Sequence, residues 1–230
     1  MIREALAVLP GADRHLEKSL EIYLEALIEA NRTVNLVSRQ DTARHVARFT
    51  RECLFLAERL RRELPSRGEA RLLDLGSGGG FPGLILKLAL PDVQTTLVEA
   101  TQKKTRFLAG VCEKLDLRGI SVIWARAEAL ADRKSSGYRP DFRHTFDWVT
   151  AKALGPLRAS LDLAAPFLKD GGVHWTFKGA GYAEEIASCR RRLVQLGCHV
   201  LGAEPIPGDE RSFIVAVQRR TSPSVSRETQ

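Results

Sequence analysis

The run Leu72-Leu-Asp-Leu-Gly-Ser-Gly-Gly-Gly-Phe81 has the makings of a backbone cradle for a small ligand. Gly76, Gly78 and Gly80 let the chain turn sharply and approach a ligand with no Cβ in the way. They follow a strand-like apolar run and open a helical pattern, the setting in which such a loop offers its backbone to a ligand. The third glycine comes one residue earlier than in the G-x-G-x-x-G spacing that seats a pyrophosphate. Asp74, in the strand just ahead, would oppose a diphosphate and suits a cationic amino-acid ligand. About twenty residues beyond the loop, Glu99 closes Thr95-Thr-Leu-Val-Glu99, where a carboxylate accepts hydrogen bonds from two vicinal ribose hydroxyls. Alone it would read as a solvent-facing acid. Ala125-Arg-Ala-Glu128 follows a third strand pattern; it could bracket an adenine edge, and alone would read as the start of a helix. All three features fall at the carboxyl ends of successive strands, where open α/β sheets bind ligands. An adenosyl group joined to a cationic amino acid, as in S-adenosylmethionine, suits this set.

The stretch after the fourth strand pattern speaks to the methyl acceptor. Asp147-Trp-Val-Thr-Ala-Lys-Ala-Leu-Gly-Pro156 contains no Asn/Asp-Pro-Pro-aromatic tetrad to hold an exocyclic amine and no Pro-Cys to supply a thiolate. A ring nitrogen with a free lone pair, such as guanine N7, has no proton to remove and needs chiefly alignment. Lys152 and Lys178 are the candidate catalytic residues; the Lys178-Gly179 step ends a late strand on the ligand side. Trp175 and Phe177 could stack on a flipped base, although alternating aromatics in a late strand also suit a core. His45 reads as a partly exposed helix histidine.

The elements that position these groups alternate. Strand patterns lie at 71–75, 95–99, 120–124, 146–150, 171–177 and 211–217, with helical patterns at about 83–90, 102–115, 156–168 and 183–196. Alternation of this kind predicts a Rossmann-like α/β fold, a mostly parallel seven-stranded sheet with helices on both faces. Cys198–Glu204 and Ser212–Gln218, joined across Pro205–Glu210, predict an antiparallel hairpin at the sheet edge. Arg133–His144 is polar and reads as an exposed loop. Ahead of the core, helical patterns at about 14–31 and 42–64 predict an N-terminal cap over 1–65. The methyltransferase core then spans 66–220, and 221–230 reads as a disordered tail.

The chain has 35 basic and 28 acidic residues, a net charge of +7, which favours a polyanionic partner. Eight arginines fall between Arg39 and Arg67, and Arg190-Arg-Arg192 is a second cluster. Arginine suits bidentate phosphate contact. No apolar run is long enough for a membrane span, and the N-terminus does not read as a signal peptide, so a cytoplasmic location is expected. Cys53, Cys112, Cys189 and Cys198 lack metal-ligand spacing; reduced thiols and no metal site are expected.

Taken together, the residues resemble the small-subunit ribosomal RNA methyltransferase G family, also called glucose-inhibited division protein B. The resemblance is carried by Asn31-Arg-Thr-Val-Asn-Leu36, Leu73-Asp-Leu-Gly-Ser-Gly-Gly-Gly-Phe-Pro-Gly-Leu84, and Glu99 with Lys103-Lys-Thr-Arg-Phe-Leu108. It continues through Arg126-Ala-Glu128, Phe177-Lys-Gly179 and Pro207-Gly-Asp-Glu-Arg211. It implies S-adenosylmethionine-dependent methylation at N7 of guanine 527 in the 530 loop of 16S rRNA, with 16S rRNA or the small ribosomal subunit as partner. It also implies cofactor contacts at Gly76, Phe81, Ala127 and Glu128, with Glu99 on the ribose. Asp74, Ser77, Gly78 and Lys152 complete the expected cofactor set, and a monomer is expected. Three departures from the family pattern stand out. Ala151-Lys152-Ala153 stands where Ser-Arg-Ala is usual, so the planar guanidinium is lost. Phe49 and Glu52 replace the His and Asp of a His-x-x-Asp-Ser-Leu motif, and Arg44 stands where an acid is common. Methylation of another RNA site or of a small molecule is the alternative reading, followed by an RNA-binding assembly factor without turnover.

Overall fold

The computed structural model describes residues 2–64 and 69–221, and both the expected boundary at 65–68 and the tail from 222 lie outside them. Seven strands form one sheet: β1 (Arg71–Leu75), β2 (Gln94–Glu99), β3 (Ile120–Trp124), β4 (Phe146–Ala151), β5 (Leu168–Lys178), β6 (Cys198–Ile206) and β7 (Asp209–Arg219). Their spatial order is β3-β2-β1-β4-β5-β7-β6. The first five pair in parallel, and β7 runs antiparallel to both β5 and β6. The sequence explains the interior strands. Leu72, Leu73, Asp74 and Leu75 are all buried, since β1 is covered on both faces and needs no polar alternation.

Helices α1 (Ile2–Leu6), α2 (Arg14–Ala30), α3 (Thr42–Arg62), α4 (Gly83–Ala89) and α5 (Gln102–Lys114) share one core with Leu72, Leu97, Trp148 and Trp175 on one sheet face. On the other face lie α6 (Ala127–Ala131), α7 (Leu157–Ala164) and α8 (Tyr182–Gln195), over Leu73, Val98 and Val149 at one end and Val215 and Val217 at the other. Helix α2 starts at Asp13, whose carboxylate accepts the Leu16 N–H at 2.8 Å, and it buries Leu16, Leu20, Tyr23, Leu24 and Leu27 at three- and four-residue steps. It ends at buried Asn31, whose Oδ1 accepts the Leu36 and Val37 N–H groups at 2.8 and 3.0 Å. That amide sets the turn leading towards α3.

Three expectations are revised. The helix expected to 168 stops at Ala164: Pro166 has no N–H to continue it, and Phe167 and Leu168 are buried as β5 begins. The polar stretch 133–144 is not simply an exposed loop. It contains a 3-10 turn, Pro140–Phe142, and Phe142 packs edge-on to Phe146 at 5.3 Å. The hairpin expected to turn across 205–210 turns only at Pro207-Gly208, Gly208 having φ +75°, because both strands extend through polar residues that still pair along the backbone.

Candidate active site

Strand order reverses between β1 and β4, and the ligand crevice of an open α/β sheet lies beyond the strand ends at such a point. A cleft of about 1350 Å³ opens there, bounded by the loop after β1, the end of β2, the β4–α7 loop, α3 and the β6–β7 turn.

On one side the backbone is locked. Gly76, Gly78 and Gly80 have φ of +69°, +57° and +105°, a region that favours glycine. The Gly76 and Ser77 N–H groups both donate to the Val98 carbonyl, at 2.8 and 3.0 Å, which ties the loop to β2. Asp74 is wholly buried and does not line the cleft. Its Oδ2 accepts the Gly83 N–H at 3.1 Å and its Oδ1 accepts the Thr150 hydroxyl at 2.7 Å, so it braces the loop, α4 and β4 together. A Cβ on Gly83 would stand 2.6 Å from that side chain. Burial pushes the Asp74 carboxyl up to about 6, against the downward pull of hydrogen bonds from Thr150, Ser77 and Gly83. From α2, the Tyr23 hydroxyl donates to the Gly79 carbonyl at 2.7 Å.

Glu99, 6% exposed, lines the same side: Oε2 accepts the Gly78 N–H at 2.9 Å and Oε1 the Thr101 N–H at 2.7 Å. Each oxygen keeps a lone pair for a ligand hydroxyl. Glycines that open the backbone to the cleft beside a half-committed carboxylate fit an adenosyl group: Gly76, Ser77, Gly78 and Phe81 would bear on it and Glu99 would hold its ribose. Ala127 and Glu128, at the start of α6 beyond β3, are not among the residues that line the cleft.

The opposite side is built from long side chains. Lys152, past the end of β4, pairs with Glu52 of α3, so two of the positions that depart from the family pattern meet. The Lys152 Nζ lies 4.2 Å from the Phe49 ring centroid and 4.6 Å from that of Phe177. Ala153 beside it has φ +60°, a left-handed conformation uncommon for alanine. Lys178 lines the cleft too, but its Nζ donates to the Gly155 carbonyl at 2.8 Å and pairs with Glu185 at 2.9 Å, tying the β4–α7 loop to α8. Trp175 is core, whereas Phe177, two residues on along the same strand face, reaches the cleft. His45 lines the rim and its ring lies 5.8 Å from that of Phe49.

Arg44, Arg48 and Arg51 also line the cleft, one and two turns apart on α3, facing Arg211 from β7. The β6–β7 turn lies against Arg51, the Gly208 Cβ position being in ordinary contact range of its Nη1 at 3.4 Å. The Arg51 Nε is buried without a hydrogen-bond partner among the described residues. Burial pushes the Asp209 carboxyl up, but hydrogen bonds from Ser212 and the Arg211 N–H and the charges of Arg48 and Arg51 hold it below its ordinary value. The sequence gives no sign of the parts played by Tyr23 and Thr150, and Arg211 stands out there only as the end of a family motif. The α3 arginines do carry a signal in their spacing, since positions 44, 48 and 51 share a helix face.

Residues 16–213 match the model of the family described as GidB, rRNA small subunit methyltransferase G. The chain belongs to that family. It is 36% identical over 213 residues to the ribosomal RNA small subunit methyltransferase G of Chloroflexus aggregans, covering 91% of this chain and 85% of that protein. The corresponding Desulfitobacterium hafniense protein is 32% identical over 229 residues, covering 96% and 88%. Among solved structures, a SAM dependent methyltransferase from Aquifex aeolicus superposes with a TM-score of 0.53 at 16% identity, covering 74% of this chain and 93% of that one. M. jannaschii TYW2 in complex with AdoMet gives 0.52 at 18% identity, covering 71% and 73%. These likenesses establish the Rossmann-like methyltransferase fold. No helix of the described residues is long and apolar enough to cross a membrane, and no group of three or more His, Cys, Asp or Glu among them could hold a metal ion.

Proposed function

We propose that the chain transfers a methyl group from S-adenosylmethionine to N7 of a guanine in 16S rRNA, the position that family resemblance points to being guanine 527. The cofactor supplies an electrophilic methyl on a sulfonium. Gly76, Ser77, Gly78 and Phe81 would seat it, with Glu99 on its ribose, while Asp74 keeps the loop in shape from below. The observation that carries the acceptor reading is the wall opposite. Its carboxylates are already engaged, Glu52 by Lys152 and Arg48 and Asp209 by Ser212 and the Arg211 N–H, so the wall offers aromatic faces and cations rather than a free base. N7 has a lone pair and no proton to lose, so the reaction needs alignment rather than deprotonation. Arg44, Arg48, Arg51 and Arg211 at the mouth suit phosphates of the RNA backbone.

Unmodified small ribosomal subunits incubated with the protein and cofactor, followed by mass-spectrometric mapping of methylated guanines, test this reading. One new 7-methylguanine in the 530 loop is the expected result. Methylation at another RNA site, or no transfer despite calorimetric cofactor binding, would overturn it. The departures at Phe49 and Lys152 make the identity of the base the sharpest part of that test.

A further inference from the structure

The wall around Lys152 does more than close the cleft. Phe49 comes from α3, Phe177 from β5 and Lys152 from the loop after β4, and the three converge with Glu52 on one point. Two ring faces lie 4.2 and 4.6 Å from a single ammonium, and a carboxylate whose side chain is 3% exposed lies against it. Such an enclosure stabilises a cation in a partly desolvated place. It lies beside the cofactor loop, because the Phe49 ring packs edge-on to Phe81 at 5.5 Å. The rings are held by the core, while the cation they hold is the tip of a flexible four-carbon stem.

Methylation at N7 makes a cation. The N7 lone pair forms the new bond to carbon, and the carbon–sulfur bond breaks with its electron pair staying on sulfur. No proton is released, and the positive charge passes from the sulfonium to the purine ring. We propose that Phe49, Phe177 and Glu52 form a cation box for the purine as it becomes charged, and that Lys152 fills this box until the base displaces it. The proposal rests on the guanine-N7 reading. Arg48 already stands against both Phe49 and Glu52, with its guanidinium Cζ 5.0 Å from the ring centroid and its Nε 3.6 Å from the carboxylate. The point between the two rings that Lys152 fills is therefore where the base must enter, and its entry requires the ammonium to withdraw. The enclosure then favours the charged product ring over the neutral substrate ring, the direction in which charge develops along the reaction.

The test compares two nucleotides with the same phosphate, 7-methylguanosine monophosphate and guanosine monophosphate, titrated into the cofactor-loaded protein at mildly acidic pH, where the methylated ring is cationic. The methylated nucleotide is expected to bind about tenfold more tightly. Phe49→Leu and Phe177→Leu should each reduce that preference about threefold, and Phe177→Leu should do so with cofactor affinity unchanged. Lys152→Met should strengthen binding of the cationic nucleotide, because the resident competitor is gone. A lysine that merely ties α3 to β4 would not produce that gain. Equal affinities in the parent protein, no detectable binding of the methylated nucleotide at millimolar concentration, or a preference that survives both leucine variants would overturn the proposal. Methyl mapping keeps the two readings apart. A product other than 7-methylguanine with the cationic preference intact defeats the N7 reading alone, and 7-methylguanine without the preference defeats the box alone.

Discussion

The two sides of the cleft are built by different physics. The cofactor side is backbone and short side chains: three left-handed glycines, two N–H groups on the Val98 carbonyl, and Asp74 and Glu99 each bonded to main-chain N–H groups. The acceptor side is made of side-chain tips from α3, the β4–α7 loop, β5 and the β6–β7 turn, held by ion pairs and ring contacts. A hydrogen-bonded backbone is nearly fixed before a ligand arrives. Long side chains can move as an acceptor docks. The contrast separates a side that is fixed before any ligand arrives from a side that can adjust as one docks.

The contrast can be broken most forcefully at Lys152. Lys152→Ala leaves Glu52 buried and short of its partner, with only the Arg48 Nε at 3.6 Å, and should cost about 4 kcal/mol in denaturant unfolding. Lys152→Arg should restore most of this. If Lys152→Ala leaves stability unchanged, the acceptor side is not held by ion pairs. Next comes pH. Asp74 titrates near 6 when folded, above its ordinary 3.8, so the stability it contributes is present below about 4 and is lost as pH rises through about 6. His174 is buried with its ring between the Val149 carbonyl and the Ser160 hydroxyl. Burial pulls it down to about 4 from 6.5, so its contribution is present above about 6.5 and is lost as pH falls through about 4. The two slopes oppose each other over one window. In Asp74→Asn the His174 slope should no longer be opposed by Asp74, and His174 alone would contribute a rise of about 3 kcal/mol from pH 4 to 6.5. A flat profile in that variant would show that Asp74 is not the opposing group.

Smaller effects sharpen the comparison. Glu99→Ala should weaken S-adenosylmethionine binding about thirtyfold by calorimetry, because the ribose forfeits its charge-assisted hydrogen bonds, while RNA affinity changes little. Arg51→Ala and Arg211→Ala should do the reverse. Cofactor affinity stays, RNA affinity falls a few-fold, and the slope of log affinity against log salt becomes shallower by about one for each phosphate that is no longer neutralised. An unchanged salt slope in both arginine variants would remove the mouth of the cleft from the RNA interface.

The glycine-loop side of the cleft was legible in the sequence because its information is local, although Ala127 and Glu128, expected beside it, do not line the cleft. Gly76, Gly78, Gly80 and Phe81 are contiguous, and Glu99 closes the adjacent strand. Even there, Asp74 was legible as present but not as a brace, because its partner Thr150 is 76 residues away. The strands were predicted to within a few residues, since parallel strands covered on both faces show as apolar runs. The acceptor side was legible only as isolated departures. Nothing in the chain announces that Glu52 and Lys152 meet, being 100 residues apart, or that Phe177 reaches the cleft while Trp175 stays inside. Convergence of that kind is set by how helix α3 packs over the sheet, which periodicity does not encode.

The hydrogen bond from Tyr23 to the Gly79 carbonyl joins helix α2 to the cofactor loop. An acceptor that shifts α2 as it docks therefore shifts the loop as well. Binding free energies then obey reciprocity: whatever factor the cofactor contributes to acceptor affinity, the acceptor returns to the cofactor. Where docking does move α2, this single phenolic hydroxyl would make the two substrates heterotropic effectors of one another, and Tyr23→Phe is the substitution that would uncouple them.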